Sequence, residues 1–223
     1  MSNNSDANIF QMFSTPLYVS NYKGDMTEIN NYLHSIELHE HNPGYGMISK
    51  NSYIIDNPIC KPLADFIHKS MTDFAINCMA LNEEIFFSQS WISGKAQGAS
   101  HKAHSHPNTI IASVFYFDAE EGDSPICFSK EARSLNRSYI EPSLRDDYQQ
   151  NIFAQDEIYY YPKRNDLIIF PSWLMHGVPP NQKPKIRKVL GVNAMTKGKL
   201  GDRETISELD YKRYVWVKKR GRH

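Results

Sequence analysis

His101-Lys-Ala-His104-Ser-His106-Pro107 and, seventy residues after His106, Phe170-Pro-Ser-Trp-Leu-Met-His176 set three imidazoles beside apolar runs. Short and then long spacing of this kind describes one divalent-metal site on a β-scaffold. In an extended segment residues i and i+2 point to the same side, about 6.6 Å apart along the chain. His104 and His106 can therefore close on a single ion while His176 arrives from a strand end elsewhere. Neutral imidazole suits Fe, Zn, Cu and Ni, so these residues name a metal class rather than an element.

Around these histidines the texture is that of short strands. Ile85–Ser93, Ile110–Phe117, Pro125–Phe128, Glu157–Tyr161, Leu167–Pro171 and Arg187–Asn193 are β-branched or aromatic runs. Turn residues such as Asn165-Asp166 and Pro179-Pro180-Asn181 separate them. Such spacing predicts a sandwich or double-sheet barrel. Upstream, Asp25 reads as the N-cap of a helix carrying Ile29, Leu33 and Ile36 on one face. A second helix is expected to start at Asn57-Pro58, with Leu63, Phe66, Ile67, Met71, Phe74 and Cys78 on its buried side. Ile9–Val19 reads as an extended lead-in that Pro16 assigns to a sheet edge. Residues 41–46 read as a loop, and the polar stretch 129–156 as an insert able to cover a site. The fold class expected is α+β: one domain over 1–223, with helical support over 25–80, a barrel core over 85–195 and a basic extension over 196–223.

Composition excludes several classes of function. The 223 residues are 40% hydrophobic and 12% aromatic, enough for a sizeable core. Formal net charge is zero, so no global field selects nucleic acid, a membrane or an acidic partner. Cys60, Cys78 and Cys127 are odd in number and lack CxxC spacing, which reads as reduced thiols in a cytoplasm. The first residues, Met-Ser-Asn-Asn-Ser-Asp-Ala, have neither a basic nor an apolar signal region, and no run approaches a membrane span. The basic aromatic end, with Lys218, Lys219, Arg220 and Trp216, is expected to be a solvated extension rather than a nucleic-acid contact.

The motifs taken together resemble a known family. His104-Ser-His106-Pro-Asn, Ser113-Val-Phe-Tyr116-Phe, Asn165-Asp-Leu-Ile-Ile-Phe-Pro-Ser-Trp-Leu-Met-His176 and Arg187-Lys-Val-Leu-Gly-Val-Asn193 look like the Fe(II)/2-oxoglutarate-dependent oxygenases. The nearest likeness is to a subgroup related to prolyl 4-hydroxylases and seen in marine bacteria and phages. The opening Phe13-Ser-Thr-Pro-Leu-Tyr resembles that subgroup's start, so the likeness spans most of the chain. Phe-Pro-Ser-Trp-Leu-x-His is its specific part; HxH alone also occurs in cupins and zinc enzymes.

The resemblance implies a double-stranded β-helix, or jelly roll, with a metal at one mouth and Fe(II) and 2-oxoglutarate as cofactors. His104 falls where the family has the first histidine of HxD, and His176 where it has the distal one. Arg187, eleven residues later, falls near the cation that holds the distal carboxylate of 2-oxoglutarate, and Tyr116 on a strand tyrosine that donates to the same group. A planar guanidinium matches a carboxylate bidentately. The implied reaction is oxidative decarboxylation of 2-oxoglutarate coupled to hydroxylation of a small-molecule or peptide substrate, and no side chain is assigned as catalytic acid or base.

Two positions depart from the family. His106 stands where the pattern has Asp or Glu, so either three imidazoles ligate, or His106 sits beside the ion and a water or another carboxylate completes the set. His101 is a further candidate from what reads as a loop, whereas Asp118 lies too far along the chain. Val189 stands where Ser or Thr often helps hold the cosubstrate. Two rival readings remain open at this level: a cupin-like three-histidine metalloenzyme that does not use 2-oxoglutarate, and a non-catalytic jelly-roll binding module. Trp91 and Trp173 read as core residues rather than substrate platforms.

Overall fold

Strands β4 (Ile85–Lys95), β5 (His101–His104), β6 (Ile111–Phe115), β7 (Ile126–Ser129), β8 (Glu157–Tyr160), β9 (Asp166–Pro171), β10 (Met175–Val178) and β11 (Arg187–Thr196) follow one another and divide between two sheets. One sheet carries the order β9-β6-β11-β4 and the other β5-β10-β7-β8, every ladder antiparallel. This is the jelly roll expected. The larger sheet is extended to seven strands by β1 (Tyr18–Asn21) beside β9, and by β3 (Met47–Ser49) and β2 (Leu38–Glu40) beside β4. A short pair, β12 (Lys199–Leu200) and β13 (Leu209–Asp210), follows. The computed structural model describes residues 13–41, 46–82, 84–130, 145–147, 150–201, 204, 207 and 209–210. The centre of the 41–46 loop, most of the 129–156 insert and the basic end from 211 onward lie outside the described residues.

Period-two alternation explains why the larger sheet is apolar on both faces. In β9, Leu167 and Ile169 join a core shared with the helices, while Ile168 and Phe170 join a second core inside the barrel. All six residues of β9 are buried as a result. A strand covered on both sides reads as a continuous hydrophobic run, which is how Leu167–Pro171 reads in sequence. β11 divides in the same way: Leu190, Val192 and Ala194 face the helices. Arg187, Val189 and Gly191 face the barrel interior.

Helix α1 (Thr27–Ser35) buries Ile29 and Leu33, and α2 (Lys61–Met79) buries Leu63, Ile67, Met71 and Phe74, all against the outer face of this sheet. Met26 rather than Asp25 occupies the N-cap of α1. Asp25 Oδ1 nevertheless accepts the Thr27 N–H at 2.9 Å, so the carboxylate satisfies an orphan donor from one residue further out. Asn57 accepts from Ile59 N at 3.0 Å and caps a 3-10 turn, Pro58–Cys60, that feeds α2. Cys78 is exposed, contrary to the periodic reading. In the last turn the packed positions pass to Ala75 and Met79, and Ala80 ends the helix in the left-handed conformation. The tract 25–80 is not purely helical, since β2 and β3 lie within it.

Phe74 is fully buried and meets the Tyr18 ring edge-on at 6.4 Å. Phe74→Ala is expected to lower stability by about 3–5 kcal/mol through the cavity it leaves between α2 and β1. A denaturant melt checks this, and a change below about 1 kcal/mol would contradict the two-sided core. Among the described residues no helix is long and apolar enough to cross a membrane.

Candidate metal centre

His104 ends β5, and His176 in β10 is its direct partner across the ladder. His106 lies two residues past the strand, where its backbone N–H donates to Ser172 O at 2.9 Å. Ser172 is fixed in turn by its own N–H to Ile110 O and its Oγ to Thr109 O. Pairing of β5 with β10 and this short hydrogen-bonded return therefore aim three imidazoles at one point. One ring nitrogen from each of His104, His106 and His176 lies within 4.8 Å of the others.

The second nitrogens determine what the first can do. His104 Nδ1 lies 3.0 Å from Lys102 O, His106 Nδ1 2.9 Å from Asn193 Oδ1, and His176 Nδ1 2.9 Å from Leu174 O. All three partners are oxygen acceptors, so each Nδ1 carries the proton and each neutral ring presents a bare Nε2. His106 Nε2 and His176 Nε2 stand only 3.2 Å apart. Two bare lone pairs at that distance repel unless a cation lies between them. Nitrogens about 2.1 Å from one ion and at right angles would be about 3 Å apart, so the geometry fits a coordinated metal. An oxygen partner behind each ligating ring is also the arrangement that orients imidazoles at metal sites.

Burial keeps the rings neutral. Desolvation pulls His176 down to about 3 and His106 to about 4, and lowers His104 as well. An unfolded histidine titrates near 6.5, so between that value and the folded ones the unfolded chain binds protons that the folded chain does not. Stability of the metal-free protein from this source is complete above about pH 6.5 and is lost as the pH falls toward 4. Thermal melts of metal-free protein are expected to show a flat Tm above about pH 7 and a decline below about pH 6. A Tm that does not fall by pH 5 would exclude the buried neutral pair.

His101 opens β5 rather than lying in a loop, and its ring stacks on His104 with centroids 4.2 Å apart. It lines the cavity but stands outside the three-nitrogen cluster. Asp118 is engaged elsewhere, with Lys185 Nζ at 2.7 Å.

Beneath the imidazoles is a small chamber of about 60 Å³. Its walls are inward-facing residues of β4 and β11 in register: Trp91 opposite Gly191, Ser93 opposite Val189, Lys95 opposite Arg187. Tyr116 completes the floor, with the Arg187 guanidinium 5.9 Å from its ring centroid. Burial raises the Tyr116 phenol, so it stays a protonated donor. Arg187 is 5% exposed and donates through Nη1 to Ser124 O. Its Nε is buried without a hydrogen-bond partner among the described residues. The described lining includes no aspartate or glutamate.

Trp91 is half-buried rather than core, and a Cβ at Gly191 would stand 2.6 Å from its Cε2. Glycine there lets the indole lie flat across β11, 5.7 Å from the His106 ring. Trp91, Lys95, His101, His104 and His106 also border an open cleft of about 610 Å³ with Tyr53, Gln89 and Asn108 on its walls. Trp173 is 56% exposed and lines a separate groove.

The chamber thus unites all five residues singled out in sequence: His104, His106, His176, Arg187 and Tyr116. Sequence reasoning missed Lys95, Ser93 and Asn193. The hydroxyl absent at Val189 stands across the ladder at Ser93, which no linear motif could reveal. Alternation in β4 does put Trp91, Ser93 and Lys95 on one face, but only the pairing with β11 shows that this face is inward.

Comparison with known proteins places this geometry in context. A family model described as "Putative 2OG-Fe(II) oxygenase" matches residues 89–193, from Gln89 in β4 to Asn193 in β11. No curated protein matches the sequence significantly. Among solved structures, HygX from Streptomyces hygroscopicus with nickel, 2-oxoglutarate and hygromycin B bound is similar at TM-score 0.57 and 11% identity, over 82% of this chain and 83% of that one. A Pseudomonas putida prolyl-4-hydroxylase is similar at TM-score 0.56 and 13% identity, over 83% and 95%. A Trichoplax adhaerens prolyl hydroxylase in complex with a hypoxia inducible factor peptide fragment is similar at 0.55 and 13%, over 81% and 83%. At these identities the likeness concerns the fold.

Proposed function

We propose that this chain is a 2OG-Fe(II) oxygenase, as the family match over residues 89–193 supports, and a prolyl-hydroxylase-like dioxygenase whose Fe(II) is held by His104, His106 and His176. Arg187 and Tyr116 hold the distal carboxylate of 2-oxoglutarate in this reading. Once bound, iron and cosubstrate supply the oxidising chemistry: O2 is split between a substrate C–H, which becomes C–OH, and 2-oxoglutarate, which leaves as succinate and CO2. The chain's own residues bind, orient and exclude water. Three Nε2 atoms fix the ion, and their Nδ1–H donors hold each ring against a carbonyl oxygen. Arg187 Nε, buried and without a partner among the described residues, is a donor for which a bound carboxylate would provide the acceptor.

One observation carries the proposal: bare imidazole nitrogens and a buried guanidinium line the same 60 Å³ chamber. His104, His106 and His176 would hold the metal and Arg187 the distal carboxylate of a dicarboxylate keto acid, whereas a cupin-like reaction would leave that guanidinium without an anion to bind. The substrate, a small molecule or peptide, enters by the cleft beside Trp91 and Tyr53. The three cysteines are free thiols, and a reducing compartment, the cytoplasm, completes the reading.

Anaerobic addition of Fe(II) and then 2-oxoglutarate tests it. A visible metal-to-ligand charge-transfer band is expected, followed by succinate release when O2 is admitted. Metal binding without the band would favour the cupin-like reading, and failure to bind metal would leave a non-catalytic module.

A further inference from the structure

Lys95 is one of two cations in the described lining of the chamber, and no motif points to it. It is the register partner of Arg187 in the β4–β11 ladder, so both side chains leave the sheet on the same inward face. Lys95 is 4% exposed and Arg187 5%, and each lines the chamber beneath the histidines. Burying two like charges as neighbours is expensive in the resting protein. Desolvation and the Arg187 charge together bring the Lys95 ammonium down to about 8. Lys95 Nζ donates to Ser93 Oγ at 3.0 Å, which holds the stem against the chamber wall. Ser93 stands opposite Val189, so this hydroxyl and Lys95 both leave β4 on the face that lines the chamber.

We propose that Lys95 is a second anchor for the distal carboxylate of the cosubstrate, sharing it with Arg187 and selecting a dicarboxylate over a monocarboxylate keto acid. This rests on the proposed use of 2-oxoglutarate. Three neutral imidazoles leave the metal's charge uncompensated by the protein, so the anion that enters brings the negative charge the site lacks. A carboxylate held by both guanidinium and ammonium offsets two positive charges at once. A keto acid lacking that carboxylate brings no second negative charge to the chamber that Lys95 and Arg187 line.

The test titrates anaerobic Fe(II)-loaded protein with 2-oxoglutarate and with pyruvate, which keeps the keto-acid head and lacks the distal carboxylate. Lys95→Met preserves the stem and removes the charge. Its half-saturation for 2-oxoglutarate is expected to rise about 10- to 100-fold, the scale of one charged hydrogen bond, with pyruvate within about twofold of wild type. Lys95→Arg should restore 2-oxoglutarate binding to within about fivefold of wild type. Unchanged 2-oxoglutarate affinity in Lys95→Met overturns the assignment, as does an equal loss for both keto acids or a Lys95→Arg as weak as Lys95→Met. Should Lys95→Met fail to fold, Lys95→Gln replaces it in the same comparison, and collapse of both would make Lys95 a structural residue. A wild-type protein that gives no band with 2-oxoglutarate overturns the cosubstrate reading itself, a result distinct from failure of Lys95 alone.

Discussion

His176→Ala protein is expected to be purified without iron and to take up none on anaerobic addition of Fe(II). His176 is 4% exposed and is the ligand candidate on β10, directly paired with His104 on β5. Alanine removes one of three Nε2 donors and leaves two imidazoles, one short of the set. Loss of an orienting partner alone typically weakens metal affinity about 10- to 100-fold, so loss of the donor should exceed about 100-fold. Asn193→Ala makes the comparison, because it removes only the acceptor behind His106 Nδ1. It should fall within that 10- to 100-fold range. Iron content by elemental analysis and anaerobic calorimetry read both. Stoichiometric iron in His176→Ala would remove the centre from the proposed chemistry.

Arg187→Met should separate the cosubstrate from the metal. Iron is retained, because no nitrogen of the three-histidine cluster depends on the guanidinium. Affinity for 2-oxoglutarate falls by about 10²- to 10³-fold, since a bidentate charged pair inside a dry chamber is worth roughly 3–4 kcal/mol. The variant also abandons Ser124 O, which accepts from Arg187 Nη1, so a melt must accompany the titration. Equal loss of iron and of 2-oxoglutarate would count against the division of roles.

Strand positions in the barrel were legible because β-branched and aromatic runs bounded by turn residues carry the signal locally. Leu167–Pro171 misses only Asp166 of its strand, while Arg187–Asn193 starts with β11 and stops three residues short of its end. The ligand candidates were legible for the same reason, through HxH spacing and the Phe-Pro-Ser-Trp string. Strands β2 and β3 were not, since three-residue edge segments such as Leu38–Glu40 and Met47–Ser49 carry too little periodicity to register. Lys95 was illegible for a different cause. Its meaning comes from the residue across the ladder, and pairing between β4 and β11 joins positions about ninety residues apart in sequence. Trp91 was misread as core because its flatness depends on a glycine on the neighbouring strand.

Among the described residues β5 is the outermost strand of its sheet and has β10 as its sole neighbour there. Two of its four residues, His101 and His104, are imidazoles, and His104 shares its prospective ion with His176 on that neighbour. Coordination would therefore act as a rivet through the sheet's loose margin, joining side chains where backbone pairing is shortest. Removing that ion would then do more than stop the chemistry: the margin would be left to fray, and an open strand edge invites proteolysis or self-association.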